Sequence, residues 1–214
     1  MAMRLASVLV IAAVASAGCA VSHMETPRQL ERGEVVIHGS VDIPGWYFFV
    51  PRGQGSVMYG LGGGDVTVHA GTAGAATNAG ISGRHYLNDQ WTFGVQNDLY
   101  LAWLEDEGAG GGFVPRPRGD VSKLSVTPRL IRSSEDGAYI GVQVPLLMAF
   151  FIRDRDRPVE RWLTPGIVFG KESRSAHRSW RPQLELVLSV FPLERSDGDL
   201  TFVPWPQIHL GFNR

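Results

Sequence analysis

The sequence predicts an all-β fold, a single antiparallel up-and-down β-barrel of about 8–10 strands that follows a cleaved signal peptide. Apolar and polar residues alternate with a period of two over most of the chain after residue 33, as they do in strands with one apolar face. Turn-forming clusters separate these segments, and the 214 residues include 26 Gly and 13 Pro. Such frequent breakers disfavour long helices.

Residues 1–18 form the first predicted element, a signal peptide. Arg4 provides a short positive start, and residues 5–17 form an uncharged run of small and apolar side chains. A helix of that length rises only about 20 Å, whereas the hydrocarbon core of a bilayer is about 30 Å thick. The segment therefore fits an export signal better than a membrane-spanning helix.

The end of this segment reads Ser-Ala-Gly-Cys at positions 16–19, and Cys19 is the only cysteine of the chain. It resembles the lipobox of bacterial lipoproteins, in which the cysteine is acylated on its thiol, for example with palmitate, and becomes the first residue after cleavage. Ser16 departs from that pattern, which more often has Leu, and Ala-Ser-Ala at 15–17 also fits an ordinary signal peptidase. The resemblance implies a lipid anchor on Cys19, and Ala20 after it implies sorting to the outer membrane.

Two further regions complete the predicted organisation. Residues 19–32 are mostly polar and lack periodicity, which is typical of a lipidated N-terminus and tether. Residues 33–214 carry the alternation and predict the barrel domain. Its candidate strands are 34–41, 56–61, 66–71, 77–87, 91–104, 120–131, 138–152, 161–171, 180–191 and 201–212.

The two faces of these strands differ in chemistry. In strand 91–104 one face is apolar with a Trp near each end, and the opposite face carries Gln96 and Asp98. In a membrane barrel the apolar face meets lipid and the charges pair in the lumen. The predicted lumen-facing polar set is Arg84, Asp98, Lys123, Arg129, Arg181, Glu185 and Gln207, and the predicted membrane-interface aromatics are Trp91, Trp103 and Trp180.

Alternation also fits a soluble, lipocalin-like barrel tethered by Cys19, whose apolar face forms the interior and binds an apolar ligand. Strands of ten or more residues favour the membrane alternative, because soluble strands usually have about 5–6 residues. Prolines within candidate strands oppose it, since each removes a ladder donor. In the soluble alternative the ligand-lining residues are Tyr59, Trp91, Phe93, Trp103, Phe150 and Trp180.

The sequence offers no convincing catalytic constellation, so the protein is not predicted to be an enzyme. The six histidines form neither H-x-H nor HExxH, so no metal site or cofactor is predicted. A formal net charge of −1 gives no basic field for nucleic acid. His177 and Ser179, with Glu185, faintly resemble the H-x-S plus Glu pattern of outer-membrane lipid A deacylases, which leaves an envelope lipid hydrolase as a third hypothesis.

From Gly33 to Arg214 the pattern resembles the small β-barrel proteins of bacterial outer membranes, although Asn213 and Arg214 follow Phe212, where that family commonly ends on the aromatic residue. The resemblance implies a non-enzymatic, lipid-anchored outer-membrane protein with a structural, envelope-maintenance or small-solute role. Its expected partners are outer-membrane lipid and a small solute or apolar ligand. The sequence leaves the oligomeric state open.

Overall fold

The computed structural model of the chain describes residues 25–44, 52–73, 76–102, 121–151, 159–173, 180–194 and 200–214. The predicted signal peptide, Cys19, Trp103, His177 and Ser179 lie outside these ranges. Among the residues described, no helix has the length and apolar character needed to cross a membrane.

The described part of the chain forms twelve β-strands. They are β1 Val35–Pro44, β2 Arg52–Gly60, β3 Gly64–Ala73, β4 Ala76–Tyr86, β5 Trp91–Ala102, β6 Val121–Ser133, β7 Ala138–Gln143, β8 Leu146–Phe151, β9 Glu160–Leu163, β10 Gly166–Glu172, β11 Arg181–Glu194 and β12 Leu200–Asn213.

These strands close into an antiparallel barrel. Except for β7 with β8 and β9 with β10, strands that are neighbours along the chain pair with one another, and β1 pairs with β12 to complete the ring. Both β7 and β8 pair with the same edge of β6, and β9 continues β10 along that wall. Counting β7 with β8 and β9 with β10, the ring has ten members. The predicted all-β, antiparallel barrel of 8–10 strands is confirmed.

Two prolines interrupt the wall. The sequence predicted continuous strands over 138–152 and 161–171, but Pro145 separates β7 from β8 and Pro165 separates β9 from β10. The amide of Val190 donates to the carbonyl of Pro165 at 2.9 Å, and Pro165 has no N–H to return to Val190. Pro128, Pro204 and Pro206 lie within strands, as predicted.

The two ends of the barrel differ. Short connections at residues 61–63, 87–90 and 134–137 join strands at one end, which we call the turn end; Glu34 and Arg214 also lie there. Gly62 and Gly137 in these turns have φ of 88° and 87°, a conformation that glycine adopts without steric cost. The opposite end, where Pro44 and Ala102 lie, is the loop end.

Side chains alternate between the barrel interior and its outer surface. In β7 each buried residue is followed by an exposed one, and the same alternation runs through the other long strands. Buried apolar residues occur in two small clusters, one of Leu30, Val36 and Met58 and another around Tyr139, Val168 and Val187. Most of the buried interior is therefore polar.

Candidate functional site in the barrel interior

The interior holds a dense set of ionisable side chains. Carboxylates, histidines and cationic groups project inward from seven of the described strands, and burial of such groups requires partners. The buried ionisable residues on the strands are His38, Asp42, Asp65, His69, Asp98, Lys123, Arg129, Glu172, Glu185 and His209.

A peptide segment crosses this interior near the turn end. The Ser82 hydroxyl on β4 donates to the Glu25 carboxylate, and the Gln183 side-chain amide on β11 donates to the Glu25 carbonyl at 2.8 Å. β4 and β11 lie on opposite sides of the ring, five strands apart in either direction. Residue 25 therefore bridges the full width of the lumen.

The next residues extend the same bridge. The Thr26 hydroxyl donates to the Glu172 carboxylate at 2.5 Å, and the Arg84 guanidinium donates to the Thr26 carbonyl. Leu30 packs against Val36 and Met58, and its amide donates to the Tyr86 hydroxyl at 2.7 Å. Residues 25–30 thus form an N-terminal plug at the turn end.

Arg84 connects the plug to the barrel wall. Its guanidinium donates to Asp65 from Nε at 2.8 Å and from Nη2 at 2.6 Å, and Nε lies 3.5 Å from the Glu25 carboxylate. The Tyr86 hydroxyl also donates to Asp65. This cation is held between a fixed wall carboxylate and one on the plug, so its position depends on both.

A second network lies on the opposite wall. Arg129 and Tyr139 both donate to the same Glu185 oxygen, at 3.1 and 3.0 Å. The Gln183 amide donates to the Tyr139 hydroxyl at 2.8 Å, and the Asn213 amide donates to Glu172 and to Gln183 at 2.9 Å each. The network therefore joins β6, β7, β10, β11 and β12 from within.

Further toward the loop end, carboxylates pair with histidines. His69 Nε2 lies 2.5 Å from Asp98 Oδ1, and Gln96 donates to the other Asp98 oxygen at 2.6 Å. His209 Nδ1 lies 2.9 Å from Asp42 Oδ1. These contacts fix polar side chains along the wall, because each histidine–carboxylate pair joins strands that are adjacent or two apart in the ring.

Little free space remains between the plug and the barrel wall. A cavity of about 30 Å³ lies between the plug and the wall, bounded by Glu25, Ser82, Gln96, Arg129 and Glu185. Small-molecule sites usually have about 300–1,000 Å³. The space fits water-sized occupants and no larger solute.

The outer surface of the barrel is apolar. Its strands expose large aliphatic and aromatic side chains, from Val35 and Ile37 on β1 to Ile208, Leu210 and Phe212 on β12. Among strand residues whose side chains are described, outward charges lie near the ends: Arg132 and Lys171 at the turn end and Arg161 toward the loop end.

Aromatic and cationic side chains meet at the turn-end rim of this surface. The Arg132 guanidinium lies 6.0 Å from the centre of the Trp91 ring, and that of Arg214 lies 5.6 Å from the centre of the Trp180 ring. Both distances suit a cation–π contact. Each pair presents an apolar ring beside a positive charge.

Two carboxylates at the turn end have lowered pKa values. The Arg28 guanidinium donates to both Glu34 oxygens, at 3.0 and 2.5 Å, and thereby lowers the pKa of Glu34. Hydrogen bonds from Ser134, the Ala138 amide and Lys171 lower the pKa of Asp136 to about 2. Both groups stay charged in mildly acidic solution.

Most of the residues predicted to face the lumen lie in the barrel interior, and Arg84, Asp98, Arg129 and Glu185 belong to the networks above. Arg84, Asp98, Lys123, Arg129, Glu185 and Gln207 all point inward, and Lys123 lies over the Tyr100 ring at 5.9 Å. Arg181 lies at the turn-end mouth, where its side chain is 36% exposed and 3.8 Å from Glu172. Their role in solute passage stays a prediction, as does the membrane-interface role of Trp91 and Trp180, both outward-facing at the turn end.

The soluble, lipocalin-like alternative is wrong about which face forms the interior. Tyr59, Phe93 and Trp180, predicted to line an internal apolar pocket, are 46%, 43% and 45% exposed on the outside of the barrel. Trp91 also lies on the outward face, whereas Trp103 and the Phe150 side chain lie outside the description. The strand register places polar residues inside, which leaves no apolar lining for such a ligand at the described positions.

Sequence reasoning missed Glu25, Asp65 and Glu172. Glu25 and Thr26 belong to the segment predicted as a tether, and the boundary at residue 33 stays a prediction, although residues 25–27 are buried in the lumen. Asp65 immediately precedes a predicted strand, and extending the alternation by one residue would have placed it inside. Glu172 carries the same signal at the end of β10.

No cluster of three or more His, Cys, Asp or Glu side chains with metal-binding geometry occurs among the described residues. No known protein family matches the chain, and no curated protein matches it.

Several solved structures are similar to parts of it, including the following three. In-vitro folded OmpT, an outer membrane protein of Vibrio cholerae, is 11% identical over 76% of this chain and 55% of its own length, with a TM-score of 0.37. Its trimer form is 13% identical over 81% of this chain and 63% of its own length, with a TM-score of 0.33. The N-terminal β-barrel domain of Pseudomonas aeruginosa OprF is 13% identical over 86% of this chain and 100% of its own length, with a TM-score of 0.27. The chain thus spans less than two thirds of the OmpT structures.

Proposed function

We propose that this protein is a non-enzymatic, lipid-anchored barrel of the bacterial outer membrane, inserted with its apolar surface in lipid and its lumen closed by its own side chains and the N-terminal plug. Its role is structural or envelope-maintaining in this closed form. The contrast between an apolar exterior and a charged interior carries the proposal.

A water-soluble barrel has the opposite distribution, with a polar exterior and an apolar interior. Val68 and Phe202 are 62% and 65% exposed outside, whereas Asp98 and Glu185 are each 1% exposed inside. In water, exposed aliphatic surface and buried charge both cost free energy. In lipid, the same outward surface is favourable, and the paired polar groups are shielded within the lumen.

The height of the apolar surface fits a bilayer. On β12 the outward residues run from Phe202 to Phe212, which is about 33 Å along a strand. At a strand tilt of about 40° the same span projects to about 25 Å along the barrel axis, the height typical of outer-membrane barrels. The Trp–Arg pairs at the turn end suit the headgroup region, where Trp and Arg can contact both apolar and polar surroundings.

The folding environment tests this proposal. The full chain is refolded with and without detergent and examined by far-UV circular dichroism, size and SDS-gel migration before and after boiling. We expect β structure and boiling-dependent migration only with detergent. A β-rich, detergent-free monomer in plain buffer would overturn membrane insertion.

The lipid anchor is tested separately, on the lipobox-like residues that end at Cys19. Cells expressing the chain are labelled with radioactive palmitate, and we expect incorporation that Cys19→Ser abolishes. Ala20→Ser, which leaves the thiol in place, serves as the control and should keep the label. Equal labelling of Cys19→Ser would remove the anchor from the proposal.

The non-enzymatic part of the proposal has its own test against the envelope-hydrolase hypothesis. We expect ester hydrolysis by the folded protein to stay at the background of boiled protein. Activity that Ser179→Ala or His177→Ala abolishes would replace the structural role by a catalytic one.

A further inference from the structure

We infer that the N-terminal plug is a releasable stopper on a polar pathway through the barrel, and that this pathway prefers small cations. The inference rests on the proposed membrane insertion, because a pathway has meaning only in a barrel that crosses a bilayer. Three features of the interior carry it.

The first feature is the space that the plug occupies. In barrels of about eight strands the side chains of the wall suffice to fill the interior, and the diameter grows with strand number. This ring has ten wall strands, and residue 25 bridges its two opposite sides. The extra width is taken up by a peptide segment, so withdrawal of that segment leaves a gap about as wide as a peptide chain.

The second feature is the polar character of the contacts that hold the inner end of the plug. Glu25 and Thr26 are held through Ser82, Arg84, Glu172 and Gln183. Water can replace each of these hydrogen bonds when the segment withdraws. The apolar contact of the plug lies at its outer end, where Leu30 meets Val36 and Met58. The inner end can therefore detach while the outer end stays bound.

The third feature is the charge of the wall behind the plug. Among the described inward side chains of the strands, five are carboxylates: Asp42, Asp65, Asp98, Glu172 and Glu185. Three described inward side chains of the strands within the lumen are cationic, Arg84, Lys123 and Arg129, and Arg181 lies at the mouth. With the inward histidines His38, His69 and His209 neutral, the carboxylates outnumber the cationic groups. Walls of low dielectric focus the field of this negative charge, which attracts cations and excludes anions.

Conductance in planar lipid bilayers tests the stopper. Full-length protein is compared with a release variant, Glu25→Ala with Thr26→Ala, which removes the Glu25 carboxylate and the Thr26 hydroxyl from the lumen. We expect at least a tenfold higher open probability in the variant. Lys171→Ala, which breaks an exposed ion pair with Asp136 at the same end, is the matched control and should behave like the unaltered protein.

A reversible variant covers the case in which the release variant does not fold. Glu25→Cys with Ser82→Cys, in a Cys19→Ser background, allows a disulfide or a short thiol cross-linker to attach the plug to β4. Conductance should be low when the two thiols are linked and rise on release. Equal conductance in both states would overturn the stopper.

The sign of the current tests the charge preference. In a tenfold KCl gradient, the reversal potential of the open form should have the cation-selective sign, and Asp98→Asn should reduce it. An anion-selective sign would overturn the preference. Boiling-dependent migration of each protein separates the outcomes: no insertion counts against the proposed function, whereas insertion without current in the release variant counts against the stopper.

Discussion

Long inward side chains of this barrel lie over glycines of the neighbouring strand. Tyr139 is directly opposite Gly170, and His69 is directly opposite Gly80. A β-carbon at either glycine would overlap the facing ring. These glycines therefore supply the space in which a ring can lie flat against the wall and still reach its hydrogen-bond partner.

Replacing Gly170 by alanine should lower the free energy of unfolding by about 1–3 kcal/mol, because the ring of Tyr139 must move away from Glu185. Guanidinium unfolding in detergent, followed by circular dichroism, measures this change. Gly83→Ala is the control, since a β-carbon there meets nothing within 4 Å. Equal losses in the two variants would contradict the explanation.

The Arg28–Glu34 pair gives the turn end a dependence on pH. The pKa of Glu34 is lowered from 4.5 by Arg28, so its stabilisation is complete above the unfolded-state pKa and is lost as the pH falls through the lower folded-state value. We expect Glu34→Gln to lower the free energy of unfolding by less than about 1 kcal/mol at pH 7. Below both the folded-state and the unfolded-state pKa of Glu34, the substitution should have no effect on stability. Unfolding midpoints from pH 7 to pH 3 test this. A constant difference across that range would disagree with it.

At the level of the strands, the sequence predicted which residues share a face, because alternation follows directly from strand geometry. It placed Gln96 and Asp98 on one face of strand 91–104, and the structure has both side chains buried on β5. It did not predict the breaks at Pro145 and Pro165, since a proline can lie inside or between strands. That choice depends on the partner across the ladder, which no local pattern contains.

Pro165 provides the test at this level. Pro165→Ala restores an N–H that faces the Val190 carbonyl, and this hydrogen bond should stabilise the folded barrel by about 0.5–1.5 kcal/mol. The substitution also makes the unfolded chain more flexible, which should lower the free energy of unfolding by about 0.4–1 kcal/mol. In lipid, without competing water, we expect a net gain in stability. Pro182 lies at the turn end, where water competes for hydrogen bonds in the proposed insertion, and its carbonyl accepts from the Ser173 amide. Pro182→Ala should therefore give no gain in stability. Detergent unfolding midpoints compare the two, and a loss for Pro165→Ala would contradict this account.

For the whole molecule, the sequence left open whether the apolar faces point outward or inward. Both arrangements satisfy the same alternation, and only closure of the ring in its observed register decides between them. The N-terminal plug could not be predicted either, because Glu25 belongs to a polar stretch without periodicity. Its burial depends on distant strands, since Ser82 and Gln183 hold it from opposite walls.

The depth at which a charge is placed within the apolar surface tests the proposed membrane insertion. Ile208→Arg, at the middle of the outward face of β12, should destabilise the barrel in lipid by about 2–4 kcal/mol, and Phe212→Arg near the turn end by about 0–1 kcal/mol. Unfolding from lipid vesicles measures both. Since Ile208 and Phe212 are both exposed on one strand, a water-soluble barrel would tolerate the two changes equally.

The seam between β1 and β12 also sets the order of biosynthetic assembly. It joins residues as far apart as His38 and Asn213, 175 positions along the chain, and pairings of such separation form slowly. Until β12 has been synthesised, β1 keeps an open edge that can aggregate. The plug emerges before every strand and yet lies inside the finished ring. Residues 25–30 must therefore be in place before β1 and β12 pair. If the ring closes earlier, the N-terminal segment has to enter a barrel that is already complete.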